Sequence, residues 1–157
     1  MRRLLSTAAL LLSLAAASTA ADDAPAPAPK GDLAKLQGVW TGKLGPAEDV
    51  PVSYSFAADA VTIQFRLAGA NSRAVLLTGK VRLDESAKPH KAVDWLALTD
   101  PTGKSLPDQP GVYALVGDDV LKIRNGRAGL PRPAELPDGP PTITLVRAKD
   151  EPKAKAK

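Results

Sequence analysis

The chain has 157 residues and a formal net charge of +4, with no Cys and a single His. The absence of Cys excludes disulfide bonds and a lipid-modified cysteine, so stability must come from a packed core. Between residues 31 and 148 there are 14 Lys or Arg and 13 Asp or Glu, so the excess positive charge lies in the two ends. A neutral body with no cluster of basic residues argues against a nucleic-acid partner.

The N-terminal 21 residues have the pattern of a secretory signal peptide. Arg2 and Arg3 precede a mostly apolar run at 4–17, which is short for a membrane span. Small residues follow, and we predict cleavage near Ala20 or Ala21, with export to the periplasm or beyond the cell. The mature chain then has no predicted transmembrane segment, and an uncleaved anchor is the alternative.

Two further segments flank the predicted domain. Residues 22–30 include the alternating Ala-Pro run of 24–29, which favours an extended polyproline conformation and indicates a linker. Residues 149–157 contain no apolar residues other than Ala and Pro152, and we expect a disordered, Lys-rich tail. Residues 31–148 remain as one domain.

The domain begins with one short helical signal and continues with alternating strands. The helical turn is predicted at 32–36, where Asp32 is a candidate N-terminal cap. After it, apolar residues recur at every second position, as in Val52, Tyr54 and Phe56 between serines. This pattern predicts eight strands, at about 37–43, 51–57, 60–67, 73–83, 92–98, 111–116, 119–124 and 141–147.

Short links between these strands favour antiparallel neighbours. We therefore predict an all-β fold, an eight-stranded antiparallel barrel of the lipocalin-like (calycin) type, because closure removes exposed strand edges. A β-sandwich of the same strands is the alternative. The interior of an eight-stranded barrel is either filled by side chains or holds one small ligand.

The hairpin at 111–124 carries the clearest turn signal. Gly117-Asp118 suits a two-residue turn of type II′, because Gly accepts a positive φ at the first central position. The neighbouring carboxylates of Asp118 and Asp119 are interpreted as turn chemistry rather than as a metal site, since adjacent hairpin side chains point different ways.

The first and last strands resemble those of the lipocalins and their relatives. Gly38-Val39-Trp40 follows the helical turn, and Arg147 ends the last strand. The resemblance implies a structural closure in which Arg147 packs across Trp40 at one end of the barrel, with cation–π and stacking contacts.

A resemblance of wider extent covers most of the domain. Its segments are 36–40, 79–89, 92–95 and 111–123, followed by Arg132-Pro133 and the strand ending at Arg147. Together these are similar to a family of mostly planctomycete exported proteins with a lipocalin-like fold. The family commonly has an aromatic residue at the position of Leu136, and often a Cys near 123–124. The resemblance implies the fold and carries no activity.

Residues that suggest catalysis do not form a recognisable pattern. His90 has no Cys or second His to complete a zinc site or a catalytic triad. Gly103-Lys104-Ser105 lacks the earlier Gly and the following helix of a phosphate-binding loop. Asp94 lies within an apolar strand and either faces solvent or is buried against Arg124 or Arg132. We predict no catalytic residues, no metal, no cofactor and no enzyme activity.

Function is predicted from the fold. We expect a non-catalytic module that binds a small, partly apolar molecule. The candidate ligand-binding residues are Tyr54, Phe56, Phe65, Trp95 and Arg132. The alternative is an interaction or structural protein of the cell envelope, with a solid barrel and no ligand cavity. The oligomeric state is left open.

Overall fold

The computed structural model describes residues 28–45, 47, 49–66 and 74–149. The predicted signal peptide, most of the linker and the tail from residue 150 lie outside the described residues, so these assignments stay predictions. The elements are α1 (Gly31–Leu36), β1 (Gly38–Leu44), β2 (Val50–Ala57), β3 (Ala60–Arg66), β4 (Ala74–Asp84), β5 (Lys91–Thr99), β6 (Gln109–Val116), β7 (Val120–Asn125) and β8 (Ile143–Arg147).

The eight strands form a closed antiparallel barrel in which each strand pairs with the next in the chain. Strand β8 pairs back onto β1, with Trp40 opposite Arg147 and Gly42 opposite Leu145. The predicted barrel is confirmed, and the sandwich alternative is wrong because the first and last strands share a ladder. Each predicted strand boundary lies within two residues of the observed one.

The alternation in the sequence places one face of each strand inside the barrel. On β2, Val52, Tyr54 and Phe56 are buried, while the residues between them are partly exposed. The other strands contribute to the same core. Its most completely buried large side chains are Trp40, Trp95, Tyr113, Leu36, Leu121, Ile123 and Leu145.

Helix α1 lies at one end of the barrel, here named the capped end. Leu36 of α1 is buried in the core, and its carbonyl oxygen accepts a 2.7 Å bond from Trp40 Nε1. Gln37 bonds to the backbone of Ala58 in the β2–β3 turn. The opposite end, where β1 and β3 finish and β2 and β4 start, is named the cavity end.

Two local predictions are corrected by the structure. The residue preceding α1 in the cap position is Lys30, whose side chain makes no capping bond, and the backbone N–H of Asp32 donates instead to Glu85 Oε1 at 2.7 Å. Asp32 is buried instead. The turn between β6 and β7 has three residues rather than two, because Val116 pairs with Val120. Gly117 does take the predicted positive φ, of +64°.

A β-bulge interrupts the pairing of β4 with β5. The register shifts between Thr78 and Lys80, and Ala97 has a φ of +49°. Gly79 is required there, because a Cβ would lie 2.7 Å from the carbonyl oxygen of Leu96. The bulge advances β5 by one position, so that Leu98 follows Trp95 into the barrel interior.

Candidate functional site

A cavity of about 250 Å³ lies inside the barrel at the cavity end. Its walls come from all eight strands, so the closed barrel itself defines its shape. None of the described residues that line it carries a charge. They are Leu44, Tyr54, Ile63, Phe65, Leu77, Trp95, Leu98, Gln109, Asn125 and Ile143.

The aromatic side chains of the cavity are continuous with the core. The rings of Tyr54 and Trp95 have centroids 5.6 Å apart and are tilted by 47°. Phe56 lies beyond them, with its centroid 6.3 Å from Tyr54 and 6.4 Å from Trp95. These spacings are typical of favourable aromatic pairs, so the cavity has a rigid apolar side that needs no ligand to form.

The polar groups of the cavity gather beside Trp95. Its indole Nε1 donates a 2.7 Å bond to Oδ1 of Asn125, at the end of β7. Gln109 is directly opposite Trp95 in the β5–β6 ladder. Burial raises the pKa of Tyr54 to about 12, against a smaller opposing effect of Asn125. Tyr54 is therefore a neutral hydroxyl at physiological pH.

The bulge in β5 supplies a wall residue that simple alternation does not predict. Regular alternation from Trp95 predicts that Ala97 faces the barrel interior, yet Leu98 is the buried residue. Asp108 accepts a 3.0 Å bond from the backbone N–H of Ala97 and so holds the bulge in place. Gly79 in the facing strand is the available sequence signal, since glycine inside a strand often marks a bulge.

Three of the five candidate ligand-binding residues line the cavity. These are Tyr54, Phe65 and Trp95, whereas Phe56 packs behind them. Arg132 lies outside the cavity, in the long connection between β7 and β8. The sequence prediction did not include Asn125 and Gln109, which sit at strand ends where alternation gives no inward or outward assignment.

Arg132 holds its loop against the outer face of β5 and β6. Its Nη1 donates to the carbonyl oxygens of Val93, at 2.9 Å, and Gly111. Its Nη2 donates to Asp94 Oδ1 at 2.7 Å. Asp94 faces outward, opposite to Trp95, and also pairs with Arg82 at 3.0 Å. Arg132 is thus a loop anchor in this structure.

Trp40 and Arg147 meet at the capped end. The guanidinium carbon of Arg147 is 4.3 Å from the centroid of the Trp40 ring. Arg147 also donates to the carbonyl oxygens of Lys35 and Gln37, which joins β8 to α1. Gly38 has a φ of +102° where the chain turns from α1 into β1, a conformation that favours glycine.

A buried carboxylate also lies at the capped end. Oδ2 of Asp32 accepts bonds from Lys91 Nζ at 2.6 Å and from the Tyr113 hydroxyl at 2.9 Å. Burial acts to raise the pKa of Asp32, but the bonds from Lys91 and Tyr113 and the nearby lysine charges outweigh it, and the pKa is lowered. Burial and the Asp32 charge raise the pKa of Tyr113.

Two other depressions of similar size are less suited to a ligand. One, of about 270 Å³, lies against β1, β2 and β3 and includes the outward-facing Thr41 and Gln64. The other, of about 280 Å³, is beside the β4–β5 loop and includes His90 and Lys88. The cavity inside the barrel is favoured as the site because it alone of the three is lined by the packed rings of Tyr54 and Trp95.

Comparison with family models, with curated proteins and with solved structures gives no match for this chain. Of the described residues, no helical segment combines the length and apolar character needed to cross a membrane.

Proposed function

We propose that this protein is an exported, non-catalytic module that holds a small, partly apolar ligand at the cavity end of the barrel. The observation that carries the proposal is the uncharged cavity of about 250 Å³ beside Tyr54 and Trp95. Export is proposed from the signal-peptide pattern of the N-terminal residues. The cavity favours this function over that of a solid barrel acting only through its surface.

The volume limits the size of the ligand. A dry apolar cavity of about 150 Å³ accommodates benzene, and pockets for drug-sized ligands start at about 300 Å³. A cavity of about 250 Å³ therefore suits a ligand of about ten non-hydrogen atoms. A short alkyl chain or a small ring system has that size.

The two tryptophans provide a direct assay. Trp95 lines the cavity, whereas Trp40 is fully buried at the capped end. In a Trp40→Phe variant, the remaining indole emission reports on the cavity alone. Titration with primary alcohols of increasing chain length should change this emission in a saturable way.

The dependence of affinity on the chain length of the alcohol measures how much of the ligand is buried in the cavity. Each methylene that enters the cavity should strengthen binding by about 0.8 kcal/mol, or about fourfold, until the cavity is full. Beyond that length the affinity should level off. No saturable response at any chain length would contradict the proposal and favour the envelope interaction protein.

Two neighbouring leucines provide a matched test of location. Leu77 lines the cavity, while Leu76 points outward and is 38% exposed. Leu77→Phe should reduce the thermal shift caused by the best alcohol, and Leu76→Phe should leave it unchanged. Equal effects of the two variants would place the ligand elsewhere.

A further inference from the structure

We infer that the cavity selects neutral ligands with a hydrogen-bond acceptor at one end, which the amide groups of Asn125 and Gln109 recognise. This inference rests on the proposed function and specifies the ligand class for the same site. It is carried by the way in which Trp95 fixes the neighbouring amide and by the lack of charge on the described cavity walls.

The orientation of the Asn125 amide follows from the chemistry of its partner. The indole Nε1 of Trp95 is a donor only, so the atom 2.7 Å from it must be the amide oxygen. The amide nitrogen, with its two N–H donors, is then directed away from the indole. One of these donors bonds to the Tyr54 hydroxyl, and Asn125, exposed at the end of β7, offers the other to a ligand whose apolar part packs on Trp95.

Gln109 places a second amide beside the same ring. It is directly opposite Trp95 in the β5–β6 ladder, is partly buried, and lines the cavity. A carbonyl or hydroxyl oxygen between the two amides, which lie on the paired strands β6 and β7, would receive hydrogen bonds from both. Tyr54 adds a neutral hydroxyl from strand β2.

The electrostatic setting disfavours charged ligands. The nearby cations on β7 and its loop are engaged outside the barrel, since Arg124 donates to the carbonyl oxygen of Glu135 and Arg132 contacts Asp94. A carboxylate held against Tyr54 and Trp95 would lose water without gaining a cation among the described lining residues. An ammonium group would likewise find no carboxylate there.

The test compares four ligands with one carbon skeleton: 2-octanone, octane, octanoate and octylammonium. Binding to the full chain is measured by titration calorimetry at neutral pH. We expect 2-octanone to bind at least about tenfold more tightly than octanoate or octylammonium, because both charged groups must be desolvated unpaired.

An isosteric variant separates ligand recognition from a purely structural role. Asn125→Asp keeps an oxygen for the Trp95 indole but replaces the amide donors by a carboxylate. The substitution should lower the affinity for 2-octanone by about tenfold, raise the affinity for octylammonium, and leave the affinity for octane unchanged. Gln109→Glu, on the neighbouring strand β6, should change the affinities for the same ligands in the same directions. This variant provides the test if Asn125→Asp fails to fold.

The outcomes distinguish the inference from the proposed function. If octane, 2-octanone and octanoate bind alike, or if the variants alter all four ligands equally, the cavity binds ligands but does not read an acceptor, and the inference is overturned. If none of the four ligands binds, the proposed function fails together with it.

Discussion

The capped end and the cavity end of this barrel differ in how their polar groups are hydrogen-bonded. At the capped end, polar groups are paired inside the protein: Asp32 binds Lys91 and Tyr113, and Arg147 covers Trp40. At the cavity end, a bond from Trp95 fixes the Asn125 amide, whose nitrogen bonds to Tyr54 and keeps one N–H donor for a ligand.

The comparison indicates that the two ends of the barrel have different roles, one in stability and the other in ligand binding. An unpaired buried polar group is costly, so satisfied groups at the capped end support stability. Empty space also costs stability, because the side chains around it lose packing contacts. A cavity at one end is therefore compatible with a stable fold when buried residues such as Leu36 and Trp40 pack the other end.

The largest expected effect comes from shortening one leucine at each end. Leu36 is buried at the capped end, with 2% exposure, and Leu36→Ala should destabilise the protein by about 3 kcal/mol. Leu77 already borders the cavity, so Leu77→Ala should cost only about 1 kcal/mol. Urea denaturation measures both free energies of unfolding. Equal losses would remove the proposed difference between the ends.

A second effect concerns Asp32 and acid. Its pKa is lowered in the folded protein from the ordinary value of 3.8, so its stabilising contribution is present above that value and is lost as the pH falls through the folded pKa. Asp32→Asn should reduce stability at pH 7 by about 1–3 kcal/mol, because Lys91 loses its charged partner.

A surface pair provides the control for Asp32. Asp59 also pairs with a lysine, Lys80, at 3.0 Å, but both side chains are more than half exposed. Asp59→Asn should leave the loss of stability in acid nearly as in the wild type, whereas Asp32→Asn should flatten it. Denaturation curves recorded between pH 7 and pH 3 test this. A flattened profile for Asp59→Asn alone would contradict the assignment.

The sequence predicted the barrel because alternation and short links act locally. The side-chain environments needed tertiary information in three places. Leu98 enters through a bulge held by Asp108, and Asn125 is oriented by an indole 30 positions earlier in the chain. Asp32 looked like a helix cap, but its partner Tyr113 lies 81 positions away.

Arg132 shows a further limit of sequence reasoning. A rigid, proline-flanked arginine in a long loop is compatible with ligand binding or with anchoring of the loop, and the two uses have the same local sequence. The deciding groups are the carbonyl oxygens of Val93 and Gly111, which only the folded barrel brings beside it. Every residue has a backbone carbonyl oxygen, so residue types do not show which of these oxygens will accept a bond from Arg132.

The smallest expected effect follows from that placement. Arg132→Lys should loosen the loop, because a lysine ammonium cannot reproduce the planar contacts to two carbonyl oxygens and Asp94. Hydrogen exchange around residues 126–142 should therefore quicken. Ligand affinity at the cavity should stay within about twofold of the wild type, since loss of one contact the ligand does not make leaves its binding free energy nearly unchanged.

Arg147→Lys provides the matched comparison, since it also removes a guanidinium that binds backbone carbonyl oxygens, three of them here. This variant should alter hydrogen exchange at α1 and the emission of Trp40, and it should leave the loop at 126–142 as in the wild type. If Arg132→Lys instead weakened binding of 2-octanone by tenfold, the loop anchor would also belong to the ligand site. The stabilising contacts of the outer face and the ligand contacts of the cavity would then be coupled through Trp95 and its neighbour Asp94.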